Sequence, residues 1–373
     1  MKILFTGGGT GGHIYPIAAV VRELKRKYGD RVKLSYIGPK DNFCQVVLSR
    51  EGVKVRRILS GKVRRYMDPF SLLQNLIDAV IKIPLGILQS FVYLFFTSPD
   101  VIFSKGGYGS FPVVVSAWML GIPVFLQESD VVPGLASKKT SKYATGIFIS
   151  FPNTTNLPPR KMILAGNPIR QDILAGSKSE AVNAFGIKGG RPLIVVVGGS
   201  QGAQRINDKI LDAMPQLLKR YEIIHLTGPR NIDQVTKESK ITVGADCLDY
   251  YHPIGYADER TLANIYAAAD LLISRAGAGS IFEIAAVQKP SILIPLPESA
   301  QNHQVKNAYT YAQTGAALVI EENNFTNNLF LERINDLLTS PDTLRAMSEA
   351  AAQFARPNAG QFIADYIVNY LNK

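Results

Sequence analysis

Residues 7–13 read Gly-Gly-Gly-Thr-Gly-Gly-His, a glycine run that ends in an imidazole. Histidine can take or release a proton near neutral pH. Glycine lets another molecule reach the bare backbone, and the N–H groups that open a helix suit an anion. His13 is therefore a candidate for moving a proton beside a bound phosphate. A second set lies in the other half of the chain. Gly198-Gly199-Ser200-Gln201-Gly202 offers N–H groups and a hydroxyl to a diphosphate. The Glu283 carboxylate could accept from two neighbouring ribose hydroxyls, or simply suit the dipole of its helix. Gln304 both donates and accepts, which fits either sugar hydroxyls or a helix cap.

Gly7, Gly9 and Gly12 also satisfy G-x-G-x-x-G, a weak dinucleotide signal taken alone. Such sites need an acid at the end of the second strand. Here Val32 to Ile37 runs into Gly38 and Pro39 instead, which disfavours a nicotinamide enzyme. Five glycines in residues 7–12 are too many for a plain tight turn.

Apolar patterning places these residues at strand ends. Met1 to Phe5 reads as a buried strand before the first glycine run, and Ile14, Ile17, Val21, Leu24 and Tyr28 follow at helical spacing. Val53 to Leu59 reads as a strand. Val101 to Ser104 ends in Lys105-Gly106-Gly107-Tyr108-Gly109-Ser110 before a helix, Pro112 to Leu120. Val124 to Leu126 ends in Gln127-Glu128-Ser129-Asp130, at the sheet edge where ligands bind in open parallel sheets. Strands near Ile147 and from Met162 to Leu164 lead to Gly166-Asn167-Pro168-Ile169-Arg170, which marks a domain boundary. The pattern then restarts with a strand from Leu193 to Val197, the second glycine run and a helix from Ala203 to Arg220. Strands at Glu222 to Leu226, Leu271 to Ser274 and Ser291 to Ile294 alternate with helices, one bearing Glu283 and one opened by Gln301-Asn302-His303-Gln304. Two doubly wound α/β domains are expected.

Composition narrows the function. A chain of 373 residues can bury two cores. The net charge of +11 invites a nucleic acid, a nucleotide or a membrane surface, and no nucleic-acid-binding motif is present. Cys44 and Cys247 lie far apart and the four histidines are scattered, so neither a disulfide nor a metal site is expected. The chain opens directly on a strand, so no signal peptide is expected. Phe70 to Phe96 is the most apolar part, but Asp78, Lys82, Pro84 and Gln89 argue against a transmembrane span of about 20 apolar residues. For most of these side chains the expectation is two core-packed helices, interrupted at Pro84 and Gly86. The alternative is that some rest in a lipid interface beside Lys62, Arg64 and Arg65. Lys138, Lys139 and Lys142 form a further basic stretch.

Taken in order, Gly8-Gly9-Thr10-Gly11-Gly12-His13, Gly106-Gly107-Tyr108, Pro133-Gly134-Leu135-Ala136, Gly166-Asn167-Pro168, Gly198 to Ala203, Ser274-Arg275-Ala276-Gly277-Ala278 and His303-Gln304 form a specific set. With them the chain closely resembles, over nearly its whole length, the undecaprenyl-diphospho-muramoylpentapeptide β-N-acetylglucosaminyltransferases of bacterial peptidoglycan synthesis. The resemblance implies a GT-B fold of two facing Rossmann-like domains. Residues 1–165 would bind acceptor and membrane, with helix 357–373 returning to them, and residues 166–356 would bind the UDP-sugar. It implies transfer of N-acetylglucosamine from UDP-N-acetylglucosamine to the 4-hydroxyl of lipid I, with inversion, to give lipid II. No cofactor is implied. The place of action is the cytoplasmic side of an anionic membrane, with other cell-wall synthesis proteins as possible partners.

By the same resemblance His13 is the general base. Gly8, Gly9, Gly106, Gly107 and Tyr108 form the acceptor diphosphate loops. The donor would be held by Thr10, Gly11, Gly12, Asp130, Arg170, Ser200, Gln201, Gly202, Tyr256, Ala278, Glu283 and Gln304. Within that set, Arg170 and Ser200 would take the phosphates, Glu283 the ribose, Gln304 and the Ala278 N–H the sugar, and backbone near Tyr256 the uracil. Asp130 stands where one common form of the family has asparagine, and Gln301 where the family usually has an acid. The alternatives are a related transferase acting on another lipid such as diacylglycerol, and a silent nucleotide-sugar-binding module.

Overall fold

The computed structural model describes residues 1–8, 11–62, 68–199 and 202–372, apart from the side chains of Pro69 and Ala245. The chain divides into two compact units, Met1–Ile169 with Pro357–Lys373, and Arg170–Arg356. Among the described residues each unit is built on one wholly parallel sheet.

In the first unit the strands are β1 (Lys2–Thr6), β2 (Lys33–Gly38), β3 (Lys54–Arg57), β4 (Val101–Ser104), β5 (Val124–Glu128), β6 (Gly146–Ile149) and β7 (Met162–Leu164). Their spatial order is β3-β2-β1-β4-β5-β6-β7, so the winding reverses between β1 and β4. Helices cover both faces, which is why the strands read as unbroken apolar runs. Ile3 and Phe5 face the layer that holds the Gly11–Tyr28 helix, while Leu4 faces the opposite layer with Val113, Val114 and Leu94. The helix opens at Gly11, ahead of the expected Ile14, so His13 lies in its first turn.

The last helix, Ala359–Leu371, belongs to this first unit. Ile363, Ile367 and Val368 enter the core layer of the Gly11–Tyr28 helix. Asp365 accepts from Lys27 Nζ at 2.7 Å and from Tyr28 Oη at 2.8 Å, which ties the two helices across 337 residues of sequence.

The most apolar stretch departs from the expected pair of core helices. Pro69–Ile77, a π turn at Asp78–Lys82 and Ile83–Thr97 run on as one helix, and Pro84 is accommodated just after the π turn. Phe70–Thr97 is long and apolar enough to cross a membrane by length and composition. Most of it is uncovered: Phe70 is 68% exposed, Leu76 59%, Val80 63% and Phe96 80%. The polar residues that seemed to interrupt it serve the inner face. Asp78 is buried, accepts from the Lys62 amide at 3.0 Å and pairs with Lys82 at 2.5 Å. Gln89 Oε1 accepts from the Leu59 amide at 2.8 Å. They anchor the preceding segment and leave the outer face apolar.

The second unit contains β8 (Leu193–Val197), β9 (Glu222–Leu226), β10 (Tyr251–Ile254), β11 (Leu271–Ser274), β12 (Ser291–Leu293) and β13 (Ala317–Val319). Their order is β10-β9-β8-β11-β12-β13, with the reversal between β8 and β11. Its core gathers Ile194 and Val196 of β8, Ile206, Ile210 and Met214 of the Gln204–Leu217 helix, and Phe330 and Ile334 beyond β13. That helix ends at Leu217, short of the expected Arg220.

Candidate functional site

In an open parallel sheet the crevice lies outside the carboxyl ends of the strands at the point of reversal. The four glycine-rich loops read from the sequence follow β1 and β4 in the first unit, and β8 and β11 in the second. Gly9, Thr10, Arg64, Arg65, Ser200 and Gln201 lie outside the described residues.

In the first unit the two loops meet. Gly106 and Gly107 take consecutive positive φ values of 77° and 82°. A side chain on Gly107 would begin 2.6 Å from the Gly8 carbonyl oxygen and 3.4 Å from His13 Nε2. Only glycine permits that approach, and it sets the second loop against the imidazole. The first loop is tied from below by buried Tyr36, whose hydroxyl donates to the Gly7 carbonyl at 2.7 Å. Ser110 holds the second loop, donating from both its N and its Oγ to the Gly107 carbonyl. Gly11 and Gly12 stand in the first turn of the His13 helix. Tyr108, which follows Gly107, is half-buried, its hydroxyl raised in pKa mainly by burial.

Two charges with no role evident from the sequence lie at the ends of β4 and β5. Lys105 follows β4 and is 4% exposed; Glu128 closes β5 and is 5% exposed. Burial pushes the Lys105 ammonium below its ordinary pKa, and Glu128 and Asp130 oppose that shift. Burial pushes the Glu128 carboxyl up, opposed first by Lys105. The Glu128 oxygens accept from the Asp130 and Gly134 amides, each at 3.2 Å. The half-buried Asp130 thus sits on a turn built around the Glu128 carboxylate. Gln127 Nε2 and Ser129 Oγ both donate to Asn167 Oδ1, at 3.2 and 2.6 Å, which fastens the same segment to the Gly166-Asn167-Pro168 stretch.

In the second unit Gly202 has φ 76°, and a Cβ there would stand 2.2 Å from the Thr227 carbonyl oxygen. Thr227 is held by Asn207 Nδ2 at 3.0 Å, and Asn207 Oδ1 meets His225 Nε2 at 3.0 Å. Because the Asn207 Nδ2 donates to Thr227, its Oδ1 must accept, so His225 carries its proton on Nε2 and accepts from Tyr251 Oη through Nδ1. Burial lowers the His225 pKa to about 3, so the ring stays neutral. This network supports the glycine loop from behind.

The structure joins two residues that the sequence assigned to different parts of a donor. Arg170 Nε donates to Glu283 Oε1 and Arg170 Nη2 to Glu283 Oε2, both at 2.8 Å. The side chains are 16% and 11% exposed. Glu283 projects from the Ala278–Ala286 helix, whose first N–H groups, starting with that of Ala278, point out of the helix end. Gln304 splits its functions: Oε1 accepts from the Leu296 amide at 3.0 Å, which leaves Nε2 as the donor end. It follows Gln301 and Asn302, two non-glycine residues at φ 60° and 55°. Such strain is concentrated at functional sites. Tyr256 lies beyond β10 and is 69% exposed. Arg275 is used internally, donating to the Ile294 carbonyl at 3.2 Å and pairing with Glu322 at 2.5 Å. Among the described residues no group of three or more His, Cys, Asp or Glu is placed to hold a metal ion.

Two parallel α/β units of this winding in one chain define the GT-B class of fold. Residues 3–149 match the glycosyltransferase family 28 N-terminal domain, and residues 193–362 the family 28 C-terminal domain. The chain belongs to glycosyltransferase family 28. It is 37% identical over 338 residues, 90% of this chain and 91% of the relative, to UDP-N-acetylglucosamine--N-acetylmuramyl-(pentapeptide) pyrophosphoryl-undecaprenol N-acetylglucosamine transferase 2 of Bacillus cereus. A Clostridium botulinum transferase of the same name, without the numeral, is 35% identical over 98% of this chain and 99% of its own. The crystal structure of MurG from Acinetobacter baumannii superposes with a TM-score of 0.77 at 24% identity, covering 99% of each chain.

Proposed function

We propose that this chain transfers N-acetylglucosamine from UDP-N-acetylglucosamine to the 4-hydroxyl of the N-acetylmuramoyl residue of lipid I, forming lipid II. The observation that carries the reading is the 35% identity, over 98% of the chain, to a transferase whose name states donor and acceptor. His13 acts as the base: it takes the 4-hydroxyl proton as that oxygen attacks the anomeric carbon. The anomeric carbon–oxygen bond breaks on the opposite face, and UDP departs with the electron pair. One displacement inverts the centre and gives a β-1,4 link. Charge on the leaving diphosphate is met by Arg170 and by N–H groups at the Gly198–Gly202 loop, while Glu283 holds the ribose. Gln304 and the Ala278 N–H hold the donor sugar. Gly8, Gly106 and Gly107 receive the acceptor diphosphate.

The acceptor is a lipid, and the uncovered apolar helix supplies a means of reaching it. Phe70, Leu73, Leu76, Val80 and Ile81 form a face that fits the boundary of a bilayer, and the exposed Lys62, Lys138, Lys139 and Lys142 add charge for anionic headgroups. The first unit therefore docks peripherally on the cytoplasmic leaflet.

The test is a transfer assay with radiolabelled UDP-N-acetylglucosamine and a short-chain lipid I analogue, run beside diacylglycerol. Label should appear on the lipid I analogue alone. Label on diacylglycerol, with none on the analogue, would replace the reading by that of a related lipid glycosyltransferase. Donor binding without transfer to either would favour a binding module.

A further inference from the structure

We propose that the Arg170–Glu283 pair is a latch that makes the second unit select a nucleoside diphosphate as a whole, rejecting the nucleoside alone. The proposal rests on the reading above, in which Glu283 holds the ribose and Arg170 the phosphates. A guanidinium fork and a vicinal ribose diol both present two donors to the same edge of a carboxylate. In this structure the fork has that edge, with both bonds at 2.8 Å. Glu283 is buried, at 8% exposure, and both of its oxygens accept from Arg170, so a ribose diol that takes the same two oxygens competes with the fork.

A ribose that displaced Arg170 without bringing a charge would leave a largely desolvated guanidinium without its carboxylate. That separation is strongly unfavourable. A diphosphate on the same molecule removes the obstacle: its oxygens receive the fork as the diol takes Glu283. The two charges exchange partners, and each keeps a bidentate one. Recognition of ribose and of phosphate is thus one event, and a nucleoside meets a site whose open form is seldom populated.

Uridine and UDP titrated calorimetrically against the wild-type protein and Arg170→Gln separate these effects. Arg170→Gln should weaken UDP by about 10- to 100-fold, through loss of a charged hydrogen-bond donor. It should tighten uridine by at least about threefold, because the carboxylate no longer has to give up a partner. Arg170→Lys keeps a charge but not the fork, and should move uridine in the same direction by less; it also serves if the glutamine variant does not fold. Uridine binding that is unchanged or weaker in both variants overturns the latch. The ribose assignment has its own check in the wild-type protein. Equal affinity for UDP and 2′-deoxy-UDP would remove Glu283 from the ribose and the latch with it, whereas a clear preference for UDP beside a failed uridine result removes the latch alone.

Discussion

Each unit sets a cation against a buried carboxylate near its sheet reversal, and the two pairs are used differently. In the first unit Glu128 turns its oxygens to the backbone amides of Asp130 and Gly134, and Lys105 balances it through the field. In the second unit Arg170 and Glu283 bond each other directly. A buried carboxylate committed to backbone amides builds the loop and is not free for a ligand. A pair committed to itself can be exchanged for one. The first unit therefore offers a fixed scaffold beside the His13 loop, and the second, on the latch proposed above, a charge pair open to exchange with a nucleotide.

The largest expected effect belongs to the scaffold's own chemical group. His13→Ala should lower turnover by about 10²–10⁴-fold, the usual worth of a general base, with donor affinity little changed. A comparable loss of UDP-N-acetylglucosamine affinity in the same variant would break the division of labour between the units.

Lys105→Met sharpens the contrast next. Lys105 opposes the desolvation of the Glu128 carboxylate, so removing it should lower stability. The sign with pH follows from Glu128, whose folded pKa is raised by burial and, in this variant, no longer opposed by Lys105. A carboxyl with a raised folded pKa binds more protons folded than unfolded, so its stability contribution is lost as pH rises. Urea unfolding of Lys105→Met should show the deficit growing as pH rises out of the carboxyl range. The double variant Lys105→Met/Glu128→Gln should remove that pH dependence. A deficit equal at all pH values would make Lys105 a packing residue only.

Glu283→Ala should weaken UDP by roughly 1.5–3 kcal/mol and abolish discrimination against a 2′-deoxyribose donor. Preference for ribose retained in that variant would place sugar recognition on other groups. The smallest effects concern the docking surface. Replacing Lys62, Lys138, Lys139 or Lys142 with glutamine should each weaken binding to anionic vesicles by about 1 kcal/mol, less at high salt. Apolar contact through the Phe70–Thr97 helix should leave some binding at high salt. No binding at low salt would remove this surface, and resistance to both salt and alkaline carbonate would mean that the helix inserts.

The site loops were legible because strand, glycine run and helix follow one another locally. The helix start at Gly11 was not, since periodicity counts apolar residues and Gly11, Gly12 and His13 supply none. β10 is hidden because Tyr-His-Pro-Ile contains a proline, tolerated there on an edge strand, and β13 because it opens on Ala317 after Gly315 and Ala316, residue types with little strand preference. Lys105 stood in a quoted loop, and only its burial distinguishes it from a surface lysine. Arg170 and Glu283 are 113 residues apart, so no spacing could announce their pairing. The apolar helix shows the limit most clearly. A helix apolar on most sides reads as core, and only the absence of a covering layer over Phe70, Val80 and Phe96 makes it a surface.

The central claim is a single inverting displacement onto lipid I, and the configuration of the new linkage tests it most directly. Proton NMR of the disaccharide cut from the assay product should show N-acetylglucosamine joined β-1,4 to the muramoyl residue, with one UDP released for each linkage formed. An α linkage, or UDP released without a matching disaccharide, would contradict the account.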